Sequence, residues 1–251
     1  MSEASNLVIE QRRGGVAMLT LNRPERHHAL SASLSGALDE ALERIEGDES
    51  VACVILTGSG EKAFCAGGDM LEMSGVEAPG RRVSNAGHVI NRLGRMPVPV
   101  IAAVNGYCYG GGARLAISCD IRIASENATF RLPGAEYGLV VGAATLPRLV
   151  GAARAKELIF TARKFDAAEA FAYGLVSAVH PQGELLQQAW KMAETIAGHS
   201  PEAVRETKRV IDAATLSEAA EKMENDANRR LRGSEDQVAR FRAATQRVTG
   251  R

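Results

Sequence analysis

The stretch "YGGGARLAISCD", Tyr109 to Asp120, decides how the chain reads, because three consecutive glycines open a short apolar helix. Glycines at a helix N-terminus remove side chains, so a ligand can reach backbone N–H groups that have no partner inside the helix. Arg114 stands in the first turn. A positive charge there opposes the helix macrodipole, so an acidic partner is expected beside it. Just upstream, "VPVIAAVNG" (residues 98–106) is an apolar run of strand length, as expected of a strand covered on both faces. The same succession occurs once before. "VACVILTG" (51–58) leads into "SGEKAFCAGGDMLEM" (59–73), a glycine loop entering a short helix. The two turns, centred on Gly68 and Gly111, lie about 43 residues apart. That spacing suits successive turns of a spiral in which the glycine loops become neighbours.

The flanking segments extend the pattern. "NLVIEQRRGGVAMLTLNRP" (6–24) reads as a hairpin turning at Gly14–Gly15. A helix follows from Ser31, with Leu34, Leu38, Ala41, Leu42 and Ile45 on one face and Gly47 closing it. A polar segment (75–82) precedes a helix with Val83, Gly87, Ile90 and Leu93 inward. "IRIAS" (121–125), "ATFRL" (128–132) and "LVSAVH" (175–180) read as further strands. The final third reads as helices near 151–161, 166–173, 184–197, 201–214, 217–231 and 235–246, with Asp166, Ser200–Pro201 and Ser217 as starts. The class is α/β.

The totals exclude several functions. Across 251 residues, 30 basic and 30 acidic side chains cancel, so nothing recommends a nucleic acid or a membrane surface as partner. No apolar run spans a bilayer, and the polar, acidic start "MSEASNLVIEQ" is unlike a secretory signal. Cys53, Cys65, Cys108 and Cys119 lack CxxC spacing. They are expected as buried reduced thiols in a cytoplasmic protein, and no metal site is expected.

Which chemistry suits the glycine turns is a matter of spacing. "GGG" is not GxGxxG, and "TGSGEKAF" lacks the GK[ST] ending of a phosphate-binding loop. Two strand ends, each offering one backbone N–H, can instead donate two hydrogen bonds to a single oxygen. Such a donor is worth about 2.7–4 kcal/mol to an oxyanion-forming transition state. The arrangement fits a thioester or ester carbonyl.

Four motifs in series, "NRPERHHAL" (22–30), "VILTGSGEKAFCAGGDM" (54–70), "PVIAAVNGYCYGGGARLAISCDIRIAS" (99–125) and "FRLPGAEYGLVVGAATLPRLVG" (130–151), resemble the crotonase, or enoyl-CoA hydratase/isomerase, superfamily over roughly residues 7–180. The resemblance implies an α/β, crotonase-like spiral of ββα units with a C-terminal helical region. It implies a core over residues 1–190 and a helical trimerisation region over 191–251, in a homotrimer or dimer of trimers. It implies that Gly68 and Gly111 supply two oxyanion N–H groups. Arg26, His28, Ala29, Leu30, Ala66, Asp69 and Met70 fall where the family holds coenzyme A, which enters as part of an acyl-CoA substrate with no separate cofactor.

One departure bears on mechanism. Hydratases of the family pair two glutamates as acid and base. The first position is occupied here by Arg114 and the second, after Pro133, by Gly134. Arginine stays protonated and glycine has no side chain, so two-glutamate hydration does not carry over. Glu136 is the nearby acid that could move a proton in an isomerisation, unless it pairs with Arg114, Arg131 or Arg148. Arg114 either closes an ion pair or binds a carboxylate on the acyl group. Two functions follow from the resemblance. One is an acyl-CoA-processing enzyme of fatty acid metabolism that stabilises a thioester enolate. The other is a catalytically idle acyl-CoA-binding protein.

Overall fold

The computed structural model describes residues 7–74 and 86–250. In chain order the elements are β1 (Val8–Arg13), β2 (Val16–Leu21), α1 (Ala32–Glu46), β3 (Cys53–Gly58), β4 (Ala63–Cys65), α2 (Met70–Met73) and α3 (Ala86–Gly94). There follow β5 (Val100–Val104), β6 (Tyr107–Tyr109), α4 (Gly111–Ser118), β7 (Ile121–Ser125) and β8 (Thr129–Arg131). Next come α5 (Leu146–Val150), α6 (Ala152–Thr161), β9 (Phe165–Asp166), α7 (Ala167–Ala172), β10 (Ala178–His180) and α8 (Leu185–Ala197). Helices α9 (Pro201–Thr215), α10 (Glu218–Leu231) and α11 (Glu235–Thr249) complete the chain.

The strands form two sheets. The larger has the order β1-β2-β3-β5-β7-β10 and the smaller β4-β6-β8-β9. From β3 onward, each successive pair of strands gives one member to each sheet. This is how a repeating ββα unit builds a spiral. β3 pairs with β5 in parallel, and β4 pairs with β6 in parallel with Cys65 opposite Cys108. Because β4 and β6 are neighbours, the chain segments leaving their ends are neighbours too. Gly68 and Gly111 each lie three residues beyond one of those paired cysteines.

The long apolar runs have a direct cause. Leu19, Val54, Leu56, Val100 and Ala102 point into one core with α1, whereas Met18, Cys53, Ile55, Ile101 and Ala103 point into a second core beneath α8. Successive side chains on a strand face opposite ways, so a sheet covered on both faces needs apolar residues at every position. Leu34, Leu38, Leu42 and Ile45 of α1 are buried, and Ser31 Oγ caps the helix by accepting from Leu34 N–H at 3.1 Å. Asp166, Ser200 and Ser217 cap α7, α9 and α10 in the same manner, and Ser234 does so for α11.

Two expectations are corrected. The boundary drawn at 190/191 cuts α8, whose Leu185, Ala189 and Ala193 bury against the large sheet, so this helix belongs to the core. On α3 the inward residues are Val89, Ile90 and Leu93, while Gly87 is exposed. Val83 and the 75–82 segment lie outside the described residues. No helix among the described residues is long and apolar enough to cross a membrane.

Candidate active site

The glycine loops meet backbone to backbone. Leu30 forms a parallel bridge with Gly68, its N–H donating to Gly67 O at 2.7 Å and its carbonyl accepting from Asp69 N–H at 3.2 Å. Successive N–H groups of an extended segment point to opposite edges, so the Gly68 N–H faces away from Leu30. The second turn stands close by, since a Cβ placed on Gly111 would come 3.4 Å from Gly68 N. Gly111 is the first residue of α4, so its N–H has no partner within the helix. Contact this close demands glycine. A Cβ on Gly67, where φ is +102°, would lie 2.8 Å from Tyr109 O, and one on Gly112 only 2.1 Å from Cys65 O. Met73 Sδ packs over Gly68, 2.6 Å from where a Cβ would stand.

A polar scaffold fixes the first loop. Asp69 caps α2, accepting from Leu71 N–H (3.1 Å) and Glu72 N–H (3.3 Å), and takes the Arg23 guanidinium at 2.6 Å. Arg23 and the backbone amides hold the Asp69 carboxyl below the usual carboxylate range despite its burial. Arg23 also donates to Ala29 O at 3.1 Å. His28 is 1% exposed. Its Nδ1 accepts from Arg23 N–H at 2.9 Å, so the proton rests on Nε2, 3.0 Å from Ser59 O. Burial lowers its pKa. His27 and His28 both have positive φ, 49° and 54°. A tight loop of this kind places Leu30 against Gly68.

Around the acid positions the arrangement is different. Arg114 lies 3.7 Å from Glu224 of α10, whose side chain is 4% exposed. The Glu224 carboxylate also accepts from Gly142 N–H (3.1 Å) and Ala144 N–H (2.9 Å), one to each oxygen. One turn along α10, the Asn228 amide both donates to and accepts from Val140. Gly134 is crowded, because a Cβ there would lie 2.8 Å from Val141 Cβ and Cγ2, and one of them must shift to admit it. Glu136 pairs with Arg131 and, at 3.0 Å, with Arg247 of α11. Arg131 is thus the partner among the three considered, with Arg247 added from the tail. With its carboxylate between two guanidinium groups, Glu136 is turned from the role of a free base.

A sequence model of enoyl-CoA hydratase/isomerase matches residues 11–247. The chain belongs to this family. It is 43% identical over 215 residues to a short-chain-enoyl-CoA hydratase of Clostridium acetobutylicum, covering 84% of this chain and 82% of that one. Among solved structures, it is similar to a monofunctional enoyl CoA isomerase from M. smegmatis, at 39% identity and a TM-score of 0.73, with 86% of this chain and 97% of that one covered. It is also similar to an enoyl-CoA hydratase/isomerase from Pseudoalteromonas atlantica T6c, at 30% identity and a TM-score of 0.87, covering 96% and 97%. The crotonase-type α/β fold expected of the sequence is the fold observed.

Within this enoyl-CoA hydratase/isomerase scaffold the expected coenzyme A residues divide into two sets. Leu30, His28 and Asp69 are buried and serve the loop itself. Arg26, Ala29, Ala66 and Met70 are half-buried along the same two loops, with Ala66 N–H bonded to His27 O at 2.9 Å. Four participants are not marked in the sequence, namely Arg23, Glu224, Asn228 and Arg247. Arg23 lies within the motif "NRPERHHAL", where nothing local marks it as the partner of Asp69. Glu224 and Asn228 sit in a charged tail helix, where only an i, i+4 spacing on one face could have hinted at a shared task. The four cysteines are free and buried, and burial pushes Cys53, Cys65 and Cys119 up to about 12. Among the described residues no cluster of His, Cys, Asp or Glu is placed to hold a metal.

Proposed function

We propose that the protein processes acyl-CoA thioesters, polarising the thioester oxygen between the N–H groups of Gly68 and Gly111 and stabilising the enolate that follows. The observation that carries this reading is the contact of the two turns, with neither N–H given to a backbone carbonyl among the described residues. Coenzyme A arrives as part of the substrate, along the loop that holds Arg26, Ala29, Ala66 and Met70, with no separate cofactor. The apolar side chains Val210, Ile211 and Met223, exposed on α9 and α10, support assembly as a trimer or dimer of trimers.

The ordinary two-glutamate hydration has no acids to run on, since Arg114 and the crowded Gly134 replace both. Isomerase-like chemistry needs one proton carrier at the substrate, and Glu136 is engaged elsewhere. That engagement favours a second reading, in which the protein binds acyl-CoA without turnover.

Gly111→Pro tests the first reading. It deletes the N–H at the first helical position, where proline is best tolerated. Turnover of 2-enoyl- or 3-enoyl-CoA by the unaltered protein, falling about 10²–10³-fold in kcat in the variant, is the expected result. Full turnover in Gly111→Pro would overturn the oxyanion assignment. Tight thioester binding without turnover by the unaltered protein would establish the second reading.

A further inference from the structure

Among the described residues the chain steps directly from the large sheet to the small one three times, between β3 and β4, β5 and β6, and β7 and β8. The three corners lie side by side, since Leu56 pairs with Ala102 and Val104 with Ala124 just before them. Asn105 occupies the middle corner, at the end of the apolar strand β5, and is 6% exposed. A buried amide needs partners inside the protein. Its Nδ2 donates to Gly58 O at 2.8 Å and to Gly60 O at 2.7 Å, and its Oδ1 accepts from Gly58 N–H at 3.2 Å. Two carbonyl groups on one side and an N–H on the other admit a single orientation of the amide. All three bonds cross from the second corner to the first.

Beyond each of these two corners stands one of the glycine turns. Gly68 lies ten residues past Gly58, and Gly111 six residues past Asn105, with β4 and β6 paired between. The backbones are already close at the corners. A Cβ on Gly106 would stand 2.3 Å from Lys62 O, and one on Gly58 would stand 2.3 Å from Ala63 O. His28 reaches the first corner from its other side, with Nε2 on Ser59 O at 3.0 Å. Residues 58–60 are thus gripped by two buried side chains. His28 leads to Leu30 and its bridge with Gly68, and Asn105 leads to Gly111. Two N–H groups that serve one oxygen must each lie about 2.7–3.1 Å from it. A misplacement of about 1 Å costs on the order of a hundredfold. The register between the corners therefore bears on whether both amides meet the same atom.

We propose that Asn105 is a positioning residue. Its amide locks the first corner to the second, and so sets the separation of the Gly68 and Gly111 N–H groups. This role rests on the thioester reading of the glycine turns.

The test uses the full chain and two ligands, CoA and acetoacetyl-CoA, and does not depend on turnover. Acetoacetyl-CoA gives an α-carbon proton to solvent and becomes an enolate with charge on the thioester oxygen. The enolate absorbs in the near ultraviolet more strongly than the keto form, so the pH midpoint of its formation on the protein can be read directly. In the unaltered protein that midpoint should lie below the midpoint of the free ligand. In Asn105→Ala it should return toward the free value by about one pH unit, a tenfold loss of enolate stabilisation, while affinity for CoA changes less than about twofold. Asn105→Ser keeps a hydroxyl at the corner. It should shift the midpoint the same way by less, and it carries the test if the alanine variant does not fold. A folded variant with the midpoint of the parent overturns the positioning role alone, as does an equal loss of affinity for both ligands. An unaltered protein that binds neither ligand, or leaves the midpoint where it is in water, overturns the thioester reading as well.

Discussion

Two regions of the molecule are held in place by opposite means. Around Gly67, Gly68, Gly111 and Gly112 the chain is held by backbone packed on backbone, with side chains absent where contact is closest. Around residues 134–144 the loop is held by side chains reaching in from the tail: Glu224 and Asn228 from α10 and Arg247 from α11. The first region belongs to the repeating spiral and is set by strands paired within about 43 residues. The second depends on contacts spanning 80 to 111 residues of sequence. The meeting of the two glycine turns is thus fixed by backbone, and the wall formed by residues 134–144 is fixed by side chains from the tail.

The sharpest way to break the contrast is Gly112→Ala. The added methyl would stand 2.1 Å from the Cys65 carbonyl oxygen, in a helix turn pressed on a strand end that cannot yield. A loss of about 3 kcal/mol or more is expected, read as a lowered denaturant midpoint or as failure to accumulate folded protein. An alanine variant with the stability of the parent would mean that the two turns are not in contact.

Glu224→Gln probes the side-chain-held wall next. The substitution keeps shape but removes the charge facing Arg114 and turns an NH₂ toward one of the two amides. A cost of about 2 kcal/mol is expected from the unsatisfied donors. It should be accompanied by faster amide hydrogen exchange in residues 140–144 and little change at residues 65–69. Equal loosening of both loops would erase the distinction between the regions.

The same distinction explains what was legible in the sequence. Buried strands, the capped α1 and both glycine turns follow from local residue types, because a strand covered twice must be apolar throughout and a close backbone approach must be glycine. The likeness to a known family then connected the two turns. Arg114 was visible as an uncompensated charge at a helix start, but its acidic partner lay 110 residues downstream in a helix rich in acids. Nothing local marks Glu224 apart from Glu218 or Glu221. Glu136 looked available for the complementary reason: Arg247, one of its two partners, is in the last turn of the last helix. The boundary at 190 falls inside α8 because that helix turns Leu185, Ala189 and Ala193 toward the sheet, whereas α9 buries no residue and α10 only Glu224.

A smaller effect is expected when the family's second acid is restored. Gly134→Glu brings a Cβ to 2.8 Å from Val141, so it should cost about 1–2 kcal/mol without conferring hydration of crotonyl-CoA. Pairing it with Val141→Gly removes the two nearest atoms and leaves Leu139 O at 3.0 Å, so a double-mutant cycle should recover part of the loss. If Gly134→Glu alone were stable and hydrated crotonyl-CoA, the wall would be as permissive as a surface loop, and the loss of the acid would be a matter of sequence alone.

The smallest effect concerns the loop that carries Leu30. His28 is buried with its pKa lowered, and its Nδ1 must stay unprotonated to accept from Arg23. A group whose pKa is lower folded than unfolded binds more protons in the unfolded state. The stability it contributes is therefore complete above the unfolded value of about 6.5 and declines as pH falls below it toward the folded value. Thermal midpoints measured from pH 8 down to pH 5 should show this decline, and His28→Gln should flatten part of it through a difference of about 1 kcal/mol or less. The difference between the two profiles reads the change at residue 28. Parallel profiles would place the imidazole in water, and the first glycine turn would then be held without the Arg23–His28–Ser59 chain of hydrogen bonds.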